Sequence, residues 1–226
     1  MSSVKLVGLT KPSAETGCHT VEDLVAYAAR VSNPGNQNNN ESAPRLLRYL
    51  MKHQHWSPFE MVHITLEIQT TRDIARQILR HRSFSFQEFS QRYAEATGFQ
   101  TREARIQDVK NRQNSIEITE AEGAIGREFK ETWNMKQETI LHKVKEVYNW
   151  ALEHGMAKEQ ARAILPEGLT QSTMYMAGSL RSWIHYCQLR AGPETQKEHR
   201  IIAQQCWDVI SQHFPSIAGL LDESDI

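Results

Sequence analysis

Residues 80 to 93, RHRSFSFQEFSQRY, set Arg80, His81, Arg82 and Arg92 among four aromatic rings and three serines. Guanidinium groups fork onto phosphate and carboxylate oxygens, and hydroxyls add further donors. The rings of Phe84, Phe86, Phe89 and Tyr93 offer faces for stacking a heterocycle. A nucleotide-like ligand suits that set. Plainer uses stand beside it: Arg80, His81 and Arg82 would serve a helix C-terminus, where positive charge meets the dipole, and Phe84 with Phe86 has the spacing of an alternating strand.

Other chemistries find less support. None of the eleven glycines is spaced as GxGxxG or GxxxxGK[ST], so the common dinucleotide and nucleotide-phosphate loops are absent. Cys18, Cys187 and Cys206 form no CxxC pair, which fits a reduced intracellular setting better than a disulfide framework or a thiolate zinc site. His53, His55 and His63 raise a metal site, but a helical run before Pro58 argues against a His-x-His strand and no cysteine lies near, so no metal is expected. With 26 Lys+Arg against 27 Asp+Glu the net charge is -1, and no global field draws nucleic acid or an anionic membrane. The start MSSVKLVGLT lacks the apolar core of a signal peptide, and a soluble, cytoplasmic protein without membrane contact is expected.

The elements that position these residues follow from periodicity. A strand is expected over 4–9, then a helix from Thr20 to Val31 capped by Thr20 and Asp23. SNPGNQNNNES reads as a loop, and a second helix runs from Pro44 to Trp56, stopped by Pro58. Over 61–70, Val62, Ile64, Leu66 and Ile68 alternate with Met61, His63, Thr65, Glu67 and Gln69, a half-buried strand. A helix over 72–80 buries Ile74, Ala75, Ile78 and Leu79 and aligns Arg72, Arg76 and Arg80 on its polar face. Residues 103–116 are polar and have no assignment. A long helix from Thr119 to His154 has Phe129, Trp133, Ile140, Val144, Val147, Ala151 and Leu152 as its apolar positions, with Gly155 as its stop. A short helix follows to Pro166. The spacing of Thr173, Ala177, Leu180, Ile184 and Cys187 predicts a helix over 170–189, and Gly192-Pro193 separates it from a last helix over 195–213. One domain spanning 1–226 is expected, since no linker divides the chain.

The order of residues in the opening segment, R-H-R, seven residues, Ser90, then Arg92, resembles the signature of flavin-dependent thymidylate synthases. ARVS (29–32), HWSPFE (55–60), ARQILRHR (75–82), ARAILP (161–166), LRSWIHYCQLR (180–190) and TQKEHR (195–200) occur in that family's order. The resemblance implies an α/β (α+β) fold, with a central, mostly antiparallel sheet flanked by helices and a helical C-terminal half. It implies transfer of a one-carbon unit from 5,10-methylenetetrahydrofolate to C5 of dUMP, with FAD supplying the hydride, NADPH re-reducing it, no cysteine nucleophile, and a homotetramer with shared active sites.

By the same resemblance FAD would meet Ser57, Arg80, His81, Arg82, Glu88, Ser179, Leu180, Arg181 and His185, and His55 would line the flavin and folate region. The substrate dUMP would meet Gln77, Ile78, Leu79, Arg80, Glu88, Phe89, Ser90, Gln91, Arg92, Arg162 and Arg190. Arg190 is the expected activating residue, a cation beside the pyrimidine that favours loss of the N3 proton and makes C5 more nucleophilic. His185 and Glu194 depart from the family's usual residues. Two plainer readings remain: Arg162 pairing with Glu159 at the surface, and Arg190 balancing carbonyls at a helix end. In an unbroken helix Arg190 projects about 180° from Arg181, so either the helix ends before Arg190 or these residues serve sites completed by different subunits. The competing function is a single-stranded nucleic-acid platform built on the same arginines and rings.

Overall fold

A computed structural model describes residues 2–119 and 123–221. Along the chain run β1 (Ser3–Leu9), α1 (Val21–Ala29), α2 (Ala43–Lys52), β2 (His63–Thr71), α3 (Arg72–Ile78), β3 (Ser85–Glu88), β4 (Arg105–Gln107), β5 (Ser115–Glu117), α4 (Gly123–Glu153), α5 (Lys158–Ala161), β6 (Gln171–Ser179), α6 (Leu180–Arg190) and α7 (Lys197–Ser211). The main sheet has the order β1-β2-β6-β3, and every pair is antiparallel. The mixed α/β class with an antiparallel sheet is therefore as expected.

Strand β2 has the alternation its sequence predicts. Ile64, Leu66 and Ile68 are buried against Met174 and Met176 of β6, and α3, α6 and α7 cover that face with Ile74, Ile78, Trp183, Ile184, Ile202 and Ile210. On the opposite face Glu67 is also buried, a departure from simple alternation: its carboxylate takes a hydrogen bond and charge from Lys5 at 2.9 Å on neighbouring β1, which holds the acid below its ordinary range. The α1 cap forms as read, with Thr20 Oγ1 accepting from the Asp23 amide and Asp23 Oδ2 accepting from the Thr20 amide at 2.8 Å.

Three expectations need correction. Residues 171–179 are strand β6, not the first half of a helix: all nine pair with β2, from His63↔Ser179 to Thr71↔Gln171, and Ser85–Glu88 pair on its other edge. Ladder bonds on both sides outweigh a helical spacing of Thr173, Ala177 and Leu180. The helix begins at Leu180, where the Ser179 side chain accepts from the Ser182 amide. Second, α2 stops at Lys52, before the expected Trp56, because Gln54 takes a left-handed conformation (φ 56°) and the His55 amide bonds back to Leu50 O. Third, Leu79 lies beyond the end of α3 and is exposed.

Helix α4 forms as expected and turns most of its apolar positions outward. Phe129, Trp133, Ile140 and Val147 are exposed, while Gly126, Gln137, Leu141, Tyr148 and Ala151 are buried. Its N-terminal boundary is Gly123, the expected start at Thr119 leading into residues outside those described, and Gly155 (φ 77°) follows its C-terminal end. The unassigned polar stretch forms the β4–β5 hairpin. Its turn is held by Asp108, whose carboxylate accepts from the Lys110 and Asn111 amides and from Asn114 Nδ2. That is local side-chain-to-backbone bonding, which carries no hydrophobic period.

Candidate functional site

The segment after α3 and the end of α6 meet at one contact. Arg190 Nε donates to His81 Nε2 at 2.9 Å. His81 is partly buried, its ring edge-on to that of Tyr186 with centroids 4.9 Å apart. Burial, then the Arg190 charge, then His185 push the His81 imidazole down to about 4, so it is neutral at pH 7 and able to accept from a guanidinium. Because Nε2 accepts, the ring proton sits on Nδ1. Helix α6 is unbroken to Arg190, so an early helix end is excluded, and Arg181 and Arg190 face different sides.

The Arg181 side opens a cleft of about 480 Å³ lined by residues that include Trp56, Glu60, Ser83, Arg181, His185 and Gln188. Three elements build it: the chain after α2, the RHRS segment and the first turns of α6. Arg181 Nη1 donates to Glu60 Oε1 at 2.7 Å. Burial opposes ionisation of Glu60, but hydrogen bonds from Ser179 and Arg181 overcome it and hold the acid below the usual range. Arg181 and His185 thus stand together in this cleft. Ser57 is exposed at the start of the short 3-10 turn Ser57–Met61, and His55 is exposed beside the rings of Tyr49 and His53. The Leu180 side chain is wholly in the core. Arg80 and Arg82 are exposed, and neither forms an ion pair among the described residues.

The remaining residues of the opening motif spread along β3 and the loop beyond it. Phe84 is a core residue, edge-on to Trp183 at 4.8 Å, and Phe86 packs partly against the core; Phe89 and Tyr93 are exposed. The two readings of the aromatics therefore divide between the pairs. Glu88 accepts from Ser172 Oγ at 2.7 Å and from Arg72 Nη1 at 3.3 Å, so the fold already uses it. Ser90 accepts from the Arg92 amide, and the buried Gln91 Nε2 has no partner among the described residues. Arg92, not Arg162, pairs with Glu159, at 3.3 Å, which ties this loop to the turn carrying Arg162. Ile78 is buried and Leu79 exposed at the end of α3, while Gln77 is half-buried and points its amide at α7 and the residue before it.

A buried polar group behind Arg190 escaped the sequence reading. His199 on α7 is fully buried, with Nε2 3.1 Å from Tyr186 Oη and Nδ1 3.2 Å from Gln77 Oε1. Burial first, then Arg190 and His81, push its imidazole down to about 3. The only available signal was its place in TQKEHR, a segment of the resemblance.

The geometry is matched by kinship. The family described as "Thymidylate synthase complementing protein" matches residues 16–216. The "Probable flavin-dependent thymidylate synthase" of Paramecium bursaria Chlorella virus 1 is 50% identical over 221 residues, 97% of this chain and 99% of the relative. The chain belongs to the flavin-dependent thymidylate synthase family. The "Flavin-dependent thymidylate synthase" of Synechocystis sp. is 48% identical over the same length, again covering 97% of this chain and 99% of the relative. Among solved structures, a UMP/dUMP methylase PolB from Streptomyces cacaoi bound with 5-Br dUMP has a TM-score of 0.78 at 26% identity, covering 97% of this chain and 95% of that one. The family named by the RHR motif and the antiparallel architecture thus agree.

Proposed function

We propose that this chain is the enzyme that methylates dUMP to dTMP, taking the carbon from 5,10-methylenetetrahydrofolate and using FAD, re-reduced by NADPH. The observation that carries the reading is the contact between Arg190 and a neutral His81, which joins the family's motif to its expected activating arginine. The residues fit a flavin: the cleft on the Arg181 side of α6 holds the Trp56 ring, the Arg181 cation and the His185 imidazole, with Ser83 and Ser182 in its lining, and Arg80 and Arg82, without an ion pair among the described residues, offer guanidinium groups for anionic oxygens. When bound, reduced FAD supplies the hydride that completes the methyl group. The protein's part is binding, orientation and charge.

In this reading His81 fixes one edge of the Arg190 guanidinium, leaving its terminal amino groups for the pyrimidine. A cation held there favours the N3-deprotonated form and raises electron density at C5, so no thiolate adduct is required. The cysteines accord with this: Cys187 and Cys206 are buried, and burial pushes both thiols up, away from the reactive thiolate. Arg92, Arg162, Ser90 and Gln77 bind the nucleotide, with Gln91 Nε2 as a donor that has no partner among the described residues.

The active form is a homotetramer with shared sites, working in the cytoplasm. The outward stripe of α4 supports assembly: Ile125, Phe129, Trp133, Ile140, Val147 and Trp150 share one exposed side of a 31-residue helix, apolar area suited to a second copy of the chain. Among the described residues no helix is long and apolar enough to cross a membrane.

The test is product formation. Flavin-loaded protein given dUMP, methylenetetrahydrofolate and NADPH in deuterated water should yield dTMP, with deuterium reporting how the hydride is delivered. Unchanged dUMP after complete loading with flavin would overturn the proposal.

A further inference from the structure

Where α6, α7 and the end of α3 meet, a line of polar side chains leads from the core to the surface, and of its members the chemistry above uses only Gln77. It runs Tyr186, His199, Gln77, Gln196, Glu198, with contacts of 3.1, 3.2, 2.8 and 2.9 Å. Its proton directions follow from the ionised end. Burial opposes ionisation of Glu198, but the Arg105 guanidinium hydrogen-bonded to it, with backbone and Gln196 donors, holds the carboxyl below its usual range.

A carboxylate only accepts, so Gln196 must donate through Nε2 and offer Oε1 to Gln77. Gln77 then donates Nε2–H to Gln196, and its Oε1 must accept from His199. His199 therefore carries its proton on Nδ1, and its bare Nε2 accepts from the Tyr186 hydroxyl. Gln196 is exposed, so its two contacts exchange with water at little cost, whereas at the buried His199 a reversal sets two acceptors face to face with no solvent to relieve them. Two members bear on the site: the Tyr186 ring backs His81, and Gln77 is the amide assigned to dUMP.

We propose that His199 is a positioning residue that fixes the Gln77 amide in one orientation for the pyrimidine nucleotide, by donating Nδ1–H to Gln77 Oε1 while Tyr186 occupies its Nε2. It rests on the reading of the site as a dUMP site. With the amide pinned, Gln77 presents one remaining lone pair and one remaining N–H in invariant places, and a ligand meets no cost of choosing between flipped forms.

Two measurements test this. Histidine-selective 15N NMR of the unmodified protein, with His199→Asn identifying the resonance, should show His199 as the neutral Nδ1–H tautomer without titration from pH 8 to 5.5. An Nε2–H tautomer, or a midpoint in the ordinary histidine range, overturns the chain of donors even if dUMP binds well. Separately, dUMP affinity and the division between kcat and KM are compared in variants. Asn places an amide nitrogen where Nδ1 stood, so His199→Asn should recover binding to within about threefold of wild type; His199→Gln reaches Tyr186 instead, and with His199→Phe should bind about tenfold more weakly, with KM rising more than kcat falls. Equal affinity in the Asn and Gln variants, or Gln the better, overturns the proposal. If the Phe variant does not fold, the Asn and Gln pair still decides. Failure of wild type to bind dUMP removes the functional reading and the substrate half of this proposal, whereas the tautomer result stands or falls by itself.

Discussion

Acidification from pH 7 to about 5 should destabilise the fold through His81 and His199. Both are held neutral by burial and by the Arg190 charge; His185 adds to the effect at His81, and His81 itself adds to it at His199. Their folded values of about 4 and about 3 lie below the 6.5 of an unfolded histidine. The sign follows: below 6.5 the unfolded chain takes up protons that the folded chain refuses, so stability falls with pH until the folded values are reached. By linkage the buried His199 removes about 2 kcal/mol at pH 5 and the partly exposed His81, where solvent screens the Arg190 charge, somewhat less, together up to about 3 kcal/mol, a large share of a typical fold's margin. The carboxylates do not mask this window. Glu67, Glu117, Glu146 and Glu167, held low by Lys5, Lys197, Lys143 and Arg76, lose their contribution only as pH falls through and below the ordinary carboxylate range. Urea unfolding at fixed protein concentration across pH 7 to 5 measures the slope, and His81→Asn should remove about half of it. Stability that is flat over this range, or a slope untouched by His81→Asn, would refute the assignment of two neutral histidines.

Three further outcomes are expected. Gly178→Ala should destabilise by about 1–3 kcal/mol in thermal or urea unfolding, because a Cβ there would lie 2.5 Å from Phe84 Cδ1, between β6 and the aromatic core. Phe129→Glu with Trp150→Glu, both on the exposed stripe of α4, should shift the solution mass from tetramer to smaller species in light scattering. Glu159→Gln should leave stability within about 0.5 kcal/mol, since its pair with Arg92 is exposed, whereas Arg92→Ala should raise KM for dUMP roughly tenfold to a hundredfold.

What the sequence discloses depends on whether the deciding interactions are local. The α1 cap and the alternation of β2 are written in neighbouring residues, and both form. Strand β6 is not: QSTMYMAGS contains no valine or isoleucine and only one aromatic, and it is a strand because two others bracket it. The periodicity of α4 marks a helix with an apolar stripe, and such a stripe does not reveal whether its cover comes from the same chain. At the site, the RHR motif and Arg190 were legible as residues, but their contact joins positions 109 apart in sequence. His199 was invisible for a related reason: one histidine in an amphipathic helix has no period of its own, and its role arises only where α3, α6 and α7 meet.

The account rests on Arg190 and His81 seating a nucleotide beside a bound flavin. The most direct measurement is the absorbance spectrum of the flavin-loaded protein titrated with dUMP, for wild type and for Arg190→Ala. Wild type should show a flavin band perturbed by dUMP, and Arg190→Ala should keep its flavin but lose that response. A chain that cannot be loaded with flavin, or an equal dUMP response without Arg190, would contradict it.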